Sequence, residues 1–131
     1  MNALIIGGTG FFGKSILDSF IKGLLKRFGV SQITILARNI DSFKKSNPEL
    51  IHPGVDYLEG DIAKMDHLPE FDMIIHAATS TNLKNYTEQP ATEKDNLELG
   101  VTNFCKLIIQ STMNPKIVYC SSGAVYGKQA I

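Results

Sequence analysis

Residues Gly7-Gly8-Thr9-Gly10-Phe11-Phe12-Gly13 space their glycines as G-x-x-G-x-x-G, and far along the chain Tyr119-Cys120-Ser121-Ser122 brings two hydroxyls out of an apolar run. The first stretch is suited to holding an anion. A glycine at 7 permits a tight turn, one at 10 lets backbone amides approach a diphosphate, and one at 13 lets a helix pack closely on the preceding strand. The start of that helix adds free N–H groups and partial positive charge. Glycines also serve plain turns, so context decides: an apolar run, Asn2 to Ile6, precedes this loop and a helical pattern follows it. The second stretch offers hydroxyls that either orient a substrate or close a strand in a turn.

Both stretches need elements to place them. Asn2 to Ile6 reads as a buried strand from the middle of a parallel sheet. Phe12, Ile16, Phe20, Leu24 and Phe28 recur every four positions, with Leu17, Ile21 and Leu25 beside them, which predicts one amphipathic helix running to a stop at Gly29. Residues 31–37 bring back β-branched side chains as a second strand, and the polar stretch 38–50 has room for a short helix before Pro48. Residues 54–62 alternate as a third strand and 71–79 fit a buried fourth, with space between them for about one or two helical turns. Leu97, Val101, Phe104 and Ile108 predict a helix over roughly 91–112, ended by Asn114-Pro115, and residues 116–122 form a fifth strand. Strands alternating with helices through right-handed crossovers predict an α/β fold. The expected form is a Rossmann-like, doubly wound parallel sheet of five strands in order 3-2-1-4-5, one domain over residues 1–131, without a sixth strand.

Composition excludes several classes. With 13 basic and 13 acidic residues in 131, there is no general positive field to recruit nucleic acid or an anionic membrane. Cys105 and Cys120 sit in apolar stretches without metal-type spacing, so no metal site is expected; they read as buried, reduced small hydrophobes rather than a disulfide. The N-terminal apolar run is broken by Gly7 to Gly10 and has no basic segment before it, which predicts neither signal peptide nor membrane span, and a cytoplasmic protein.

The glycine loop with Thr9 inside it, Gly60-Asp61-Ile62, His76-Ala77-Ala78-Thr79 and the stretch Ser121 to Gly127 (SSGAVYG) occur in an order that resembles the extended short-chain dehydrogenase/reductases. That family contains NAD(P)-dependent nucleotide-sugar epimerases, dehydratases and reductases, and the resemblance covers the whole chain. It implies that Gly7, Thr9, Gly10 and Gly13, with the amides near Phe11 and Phe12, meet the cofactor diphosphate, that Asp61 and Ile62 flank the adenine, and that Ala77, Ala78 and Thr79 line the cofactor. Small side chains at the carboxyl end of a central strand leave room for a flat ligand. Asp61 also fits a turn or helix cap, and His76 reads as a packed histidine rather than a catalytic base. The family's Asn-Val-x-Gly-Thr would put glycine three places after its asparagine, whereas Gly100 is four after Asn96; Asn96 therefore faces either the cofactor or solvent.

At the end of the second strand Ala37 stands where NAD-binding domains commonly carry an acid, and Arg38 follows. An arginine there can pair with the 2′-phosphate of NADP through charge-assisted bonds worth about 1.5–3 kcal/mol. NADP is thus the expected cofactor and NAD the alternative, with Arg38 stacked over the adenine as the other use of that side chain. Lys44 and Lys45 either add to this field or are solvated loop charges.

The resemblance also implies a serine at the end of the fifth strand that orients the substrate hydroxyl, here Ser122, and a Tyr-x-x-x-Lys pair in which lysine lowers the tyrosine pKa for proton transfer. None of Tyr57, Tyr86, Tyr119 and Tyr126 has lysine four residues later. Tyr126, followed by Lys128, belongs to the Val-Tyr-Gly signature. The pair and the region gripping the sugar are expected beyond Ile131, so the chain is read as cut through an active site. The expected function is the N-terminal NAD(P)-binding portion of a nucleotide-sugar epimerase, dehydratase or reductase, inactive by itself and homodimeric through the helices after the fourth and fifth strands. The alternative is a non-catalytic NADP-sensing or interaction module.

Overall fold

A computed structural model describes residues 1–79, 83–122 and 127. Five strands, β1 (Asn2–Ile6), β2 (Gln32–Ala37), β3 (Val55–Glu59), β4 (Met73–His76) and β5 (Lys116–Tyr119), form one parallel sheet in the order β3-β2-β1-β4-β5. Among the described residues the α-helices are α1 (Phe11–Ile21), α2 (Ile40–Ser46), α3 (Leu83–Glu88) and α4 (Pro90–Gln110). The order expected from sequence is the one observed.

The continuous apolar run of β1 has a physical reason: both of its faces are covered. Ala3 and Ile5 pack with Leu17 of α1, Ile33 and Ile35 of β2 and Phe43 of α2, whereas Leu4 and Ile6 pack with Leu36, Ile62, Ile74 and, from α4, Phe104 and Leu107. Each fully buried side chain of this kind contributes about 1.5–3 kcal/mol. The two layers hold the carboxyl ends of β1, β2 and β4 side by side, which is what positions the site.

Two expectations are corrected, on the length of α1 and the burial of the cysteines; one is met and one helix is new. The helix predicted to run to Gly29 ends at Ile21: Gly23 has φ +75°, its amide donates to Phe20 O at 2.8 Å, and the Leu24 amide reaches Ser19 O at 3.0 Å. Those two bonds are a Schellman stop, and past it Leu24 and Phe28 are both 57 % exposed, so the four-residue repeat outlives the helix. The segment between β3 and β4 holds one turn closed by Lys64 and Met65 amides on Asp61 O, and no further helix. α3 was unforeseen, because Leu83–Glu88 carries no apolar period and Pro90, at the first turn of α4, marks where a new helix begins. Both cysteines are free and exposed, Cys105 on the outer side of α4 and Cys120 just past the edge strand β5, whose Ile117, Val118 and Tyr119 are exposed as well.

Glu70 fastens the end of α4 to the sheet. Its carboxylate accepts from Ser111 Oγ at 2.5 Å and from the Thr112 amide and hydroxyl at 3.0 and 3.1 Å. The Ser111 hydroxyl, and then the Thr112 amide, pull the Glu70 pKa down to about 2. Among the described residues no helix is long and apolar enough to cross a membrane.

Candidate cofactor site

The glycine loop leaves β1 with its ladder intact, since the Gly7 amide donates to Leu36 O at 3.0 Å. Gly7 then turns at φ +82°, where a Cβ would sit 2.8 Å from the backbone of Ala78. Gly10 closes the turn by donating to Gly7 O at 3.0 Å, and the first helical bond comes from the Lys14 amide to Gly10 O at 2.9 Å. The amides of Phe11, Phe12 and Gly13 precede that bond and have no carbonyl within the helix. A Cβ on Gly10 would meet only Gly7 O, at 3.3 Å, so the space above it is open, whereas one on Gly13 would fall 2.2 Å from Gly8 O. The loop is therefore a cradle of N–H groups with room over it and a tight contact beneath. Phe11 and Phe12 are exposed and meet edge to face at 5.6 Å.

Beside this cradle a cavity of about 490 Å³ opens at the carboxyl ends of β1, β2 and β4. Gly7, Thr9, Arg38, Asp61, Ile62, Ala78, Thr79 and Asn96 all line it. Ala77 lies against Gly7, and Gly10, Phe11, Phe12 and Gly13 are outside the lining. Asp61 Oδ1 accepts from the Ala63 amide at 3.1 Å, so its side chain also makes the turn that was its alternative reading. Asn96 is exposed on α4 yet borders the cavity one turn before Gly100. Thr79 Oγ1 is 3.5 Å from the Tyr86 hydroxyl.

Arg38 also borders a smaller polar cavity of about 290 Å³ with Thr9, Asn39 and Ser42. Asn39 Oδ1 accepts from the Ser42 amide at 2.8 Å, and Glu59, level with Ala37 on β3, accepts from the Ile40 amide at 2.9 Å. Among the described residues no carboxylate forms an ion pair with Arg38.

Ser122 is exposed three residues past β5 and is not among the residues lining the large cavity; Tyr119 of β5 is. Tyr126 and Lys128 lie outside the described residues. His76 is 3 % exposed, packed between Phe104 and Tyr119 with ring centroids 4.9 and 5.0 Å away, and burial pushes its pKa down. It is packed as expected. Among the described residues no group of three His, Cys, Asp or Glu is placed to hold a metal.

Three polar residues near the site escaped sequence reasoning. Asn103 donates its carboxamide to Ile62 O at 2.7 Å and Met65 O at 2.8 Å, tying α4 to the turn that carries Asp61. Its spacing was a usable signal: seven after Asn96 and three after Gly100, it sits on the cavity face of α4. Glu93 is buried and accepts from Asn85 Nδ2 at 2.7 Å, and both line the cavity.

The model of the NAD dependent epimerase/dehydratase family matches residues 3–131. A Methanocaldococcus jannaschii protein, provisionally named as a UDP-glucose 4-epimerase, is 30% identical over 131 residues, covering 95% of this chain and 39% of its own length. The UDP-glucose 4-epimerase of Streptococcus mutans is 25% identical, covering 97% and 37%. The chain thus spans about two fifths of the length of these curated relatives. Among solved structures, a dTDP-glucose 4,6-dehydratase variant from Streptomyces venezuelae with NAD bound superposes with TM-score 0.78 at 18% identity over 98% of this chain and 42% of its own. A UDP-galactose 4-epimerase superposes at 0.73 with 20% identity over 100% and 41%. At such identities these structures establish the fold.

Proposed function

This chain belongs to the NAD dependent epimerase/dehydratase family, and on that premise we propose that it is the dinucleotide-holding part of an enzyme that acts on a nucleotide-linked sugar. The observation that carries the reading is the open space over Gly10 beside free α1 amides, at the mouth of a cavity on the carboxyl ends of the central strands. A nicotinamide cofactor held there supplies the taking up and return of hydride. The chain's own residues hold it: amides of Phe11 and Phe12 take the diphosphate, Asp61 and Ile62 flank the adenine, and Ala77, Ala78, Thr79 and Asn96 border the rest. Ser122 orients the substrate hydroxyl.

NADP is the cofactor this reading prefers. Ala37 presents no acid to repel a 2′-phosphate, and Glu59 is already bonded to the Ile40 amide. Arg38, unpaired by any carboxylate among the described residues, borders a polar cavity that also holds Thr9 and Ser42. Two free thiols accord with a reducing cytoplasm. The outer side of α4, with Cys105 and Ile109 exposed one turn apart, is the surface for a homodimer.

The names of the relatives direct the substrate test to UDP-glucose and UDP-galactose. Protein translated from the whole reading frame should interconvert or oxidise a nucleotide sugar when given cofactor. Cofactor binding without turnover on any nucleotide sugar would overturn the enzyme reading and leave a binding module.

A further inference from the structure

The chain is neutral overall, so attraction to an anionic surface has to be local, and one stretch is suited to it. No acidic residue occurs between Asp18 and Asp41, whereas Lys22, Lys26 and Arg27 fall close together inside that interval. α1 starts at the carboxyl end of β1 and runs back along it, and the segment after α1 reaches the amino end, where the Ser31 amide donates to Met1 O at 3.0 Å. The basic stretch therefore lies at the end of the sheet away from the cofactor cavity. Leu24 and Phe28, both more than half exposed, stand among these cations. The Arg27 guanidinium lies 4.7 Å from the centre of the Phe28 ring, which holds a cation beside an aromatic face. Lys22 is paired with Asp18 at 2.7 Å, and no carboxylate among the described residues forms an ion pair with Lys26 or Arg27.

The backbone here narrows the choice of partner. The amides of Gly23, Leu24, Lys26, Phe28 and Gly29 all donate to carbonyls between Ser19 and Lys26. A turn that satisfies its own amides enters an interfacial layer without unmet donors, and it offers no open edge to a peptide strand. Apolar tips flanked by Lys and Arg suit a lipid surface: the tips enter the acyl boundary and the cations stay at the headgroups. We propose that residues 22–28 are a peripheral docking site for an anionic lipid surface, which leaves the cofactor cavity facing solution.

Co-sedimentation of protein translated from the whole reading frame with lipid vesicles makes the test. One set of vesicles is phosphatidylcholine alone, and the other is phosphatidylcholine and phosphatidylglycerol in equal parts. Binding to the anionic set should be tighter by about tenfold or more and should weaken as salt rises. Lys26→Gln and Arg27→Gln should each weaken it about fivefold. Phe28→Ser, which keeps every charge, should also weaken it about fivefold. All three positions are exposed, so the variants should melt with the wild type. Absence of binding, equal binding to both sets, or charge variants that bind like the wild type would overturn the proposal. Weakening by the charge variants but not by Phe28→Ser would indicate a site for polyanions such as an acidic protein, and would overturn it as well.

Discussion

Replacing Gly13 by alanine should unseat α1 from the sheet, and replacing Gly10 should not. A Cβ at position 13 falls 2.2 Å from the oxygen of Gly8 and 2.3 and 2.4 Å from its carbonyl carbon and Cα. Relief to ordinary contact requires a shift of about 1 Å. The obstacle is backbone, which has no rotamer to change, and Leu17, fully buried one turn later, would be drawn from its contacts with Ala3 and Ile33. Overpacking costs about 1–3 kcal/mol, and this case belongs at the top of that range. A loss of about 3 kcal/mol lowers Tm by roughly 10–15 °C in a chain of this size. At Gly10 the backbone has φ −80°, and a Cβ would meet a single atom at 3.3 Å, so Gly10→Ala should cost less than about 1 kcal/mol. The methyl group would instead occupy the diphosphate cradle and reduce dinucleotide affinity by about tenfold or more. Thermal denaturation followed by circular dichroism, with NADPH titration of both variants, makes the comparison. Gly13→Ala melting within about 2 °C of the wild type, or Gly10→Ala binding as tightly as the wild type, would refute the division of labour in the loop.

Two other sites give independent expectations. The Glu70 carboxyl titrates near 2 in the folded chain against an ordinary 4.5, so its bonds to Ser111 and Thr112 stabilise the fold fully above pH 4.5 and fade as pH falls through 2. Urea midpoints of wild type and Glu70→Gln should differ at pH 6 and converge toward pH 2; a gap that persists at pH 2 would show that charge is not the cause. Asn103→Ala removes two donations to the carbonyls of Ile62 and Met65 and should cost about 1–3 kcal/mol, with faster amide exchange across residues 61–65. Exchange rates unchanged there would separate α4 from that turn.

Strand order was legible because burial on both faces writes itself into sequence as unbroken apolar runs, as in β1, and because the glycine loop fixes which strand is first. The end of α1 was misread for a related reason. Phe12, Ile16, Phe20, Leu24 and Phe28 keep a four-residue period, and only the left-handed turn at Gly23 tells where the helix stops using it. Periodicity reports which residues would share a face, whereas a stop depends on one backbone torsion. The shape of the glycine loop was readable because close approach dictates its residue types: Gly7 turns at φ +82° against Ala78, and Gly13 lies directly on Gly8. Glu93, Asn85 and Asn103 were not, since each acquires its meaning from a partner on another element: 8 residues away for Glu93 and 38 and 41 away for Asn103. Ser122 illustrates the opposite limit, a residue named through a motif that the fold leaves exposed and outside the cavity lining.

Calorimetric titration with NADPH and NADH, on wild type and Arg38→Ala, tests the central claim most directly. The account predicts saturable binding with NADPH about tenfold or more tighter than NADH, and a preference that disappears in Arg38→Ala. Absence of binding by either dinucleotide, or tighter NADH binding that Arg38→Ala leaves unchanged, would contradict it.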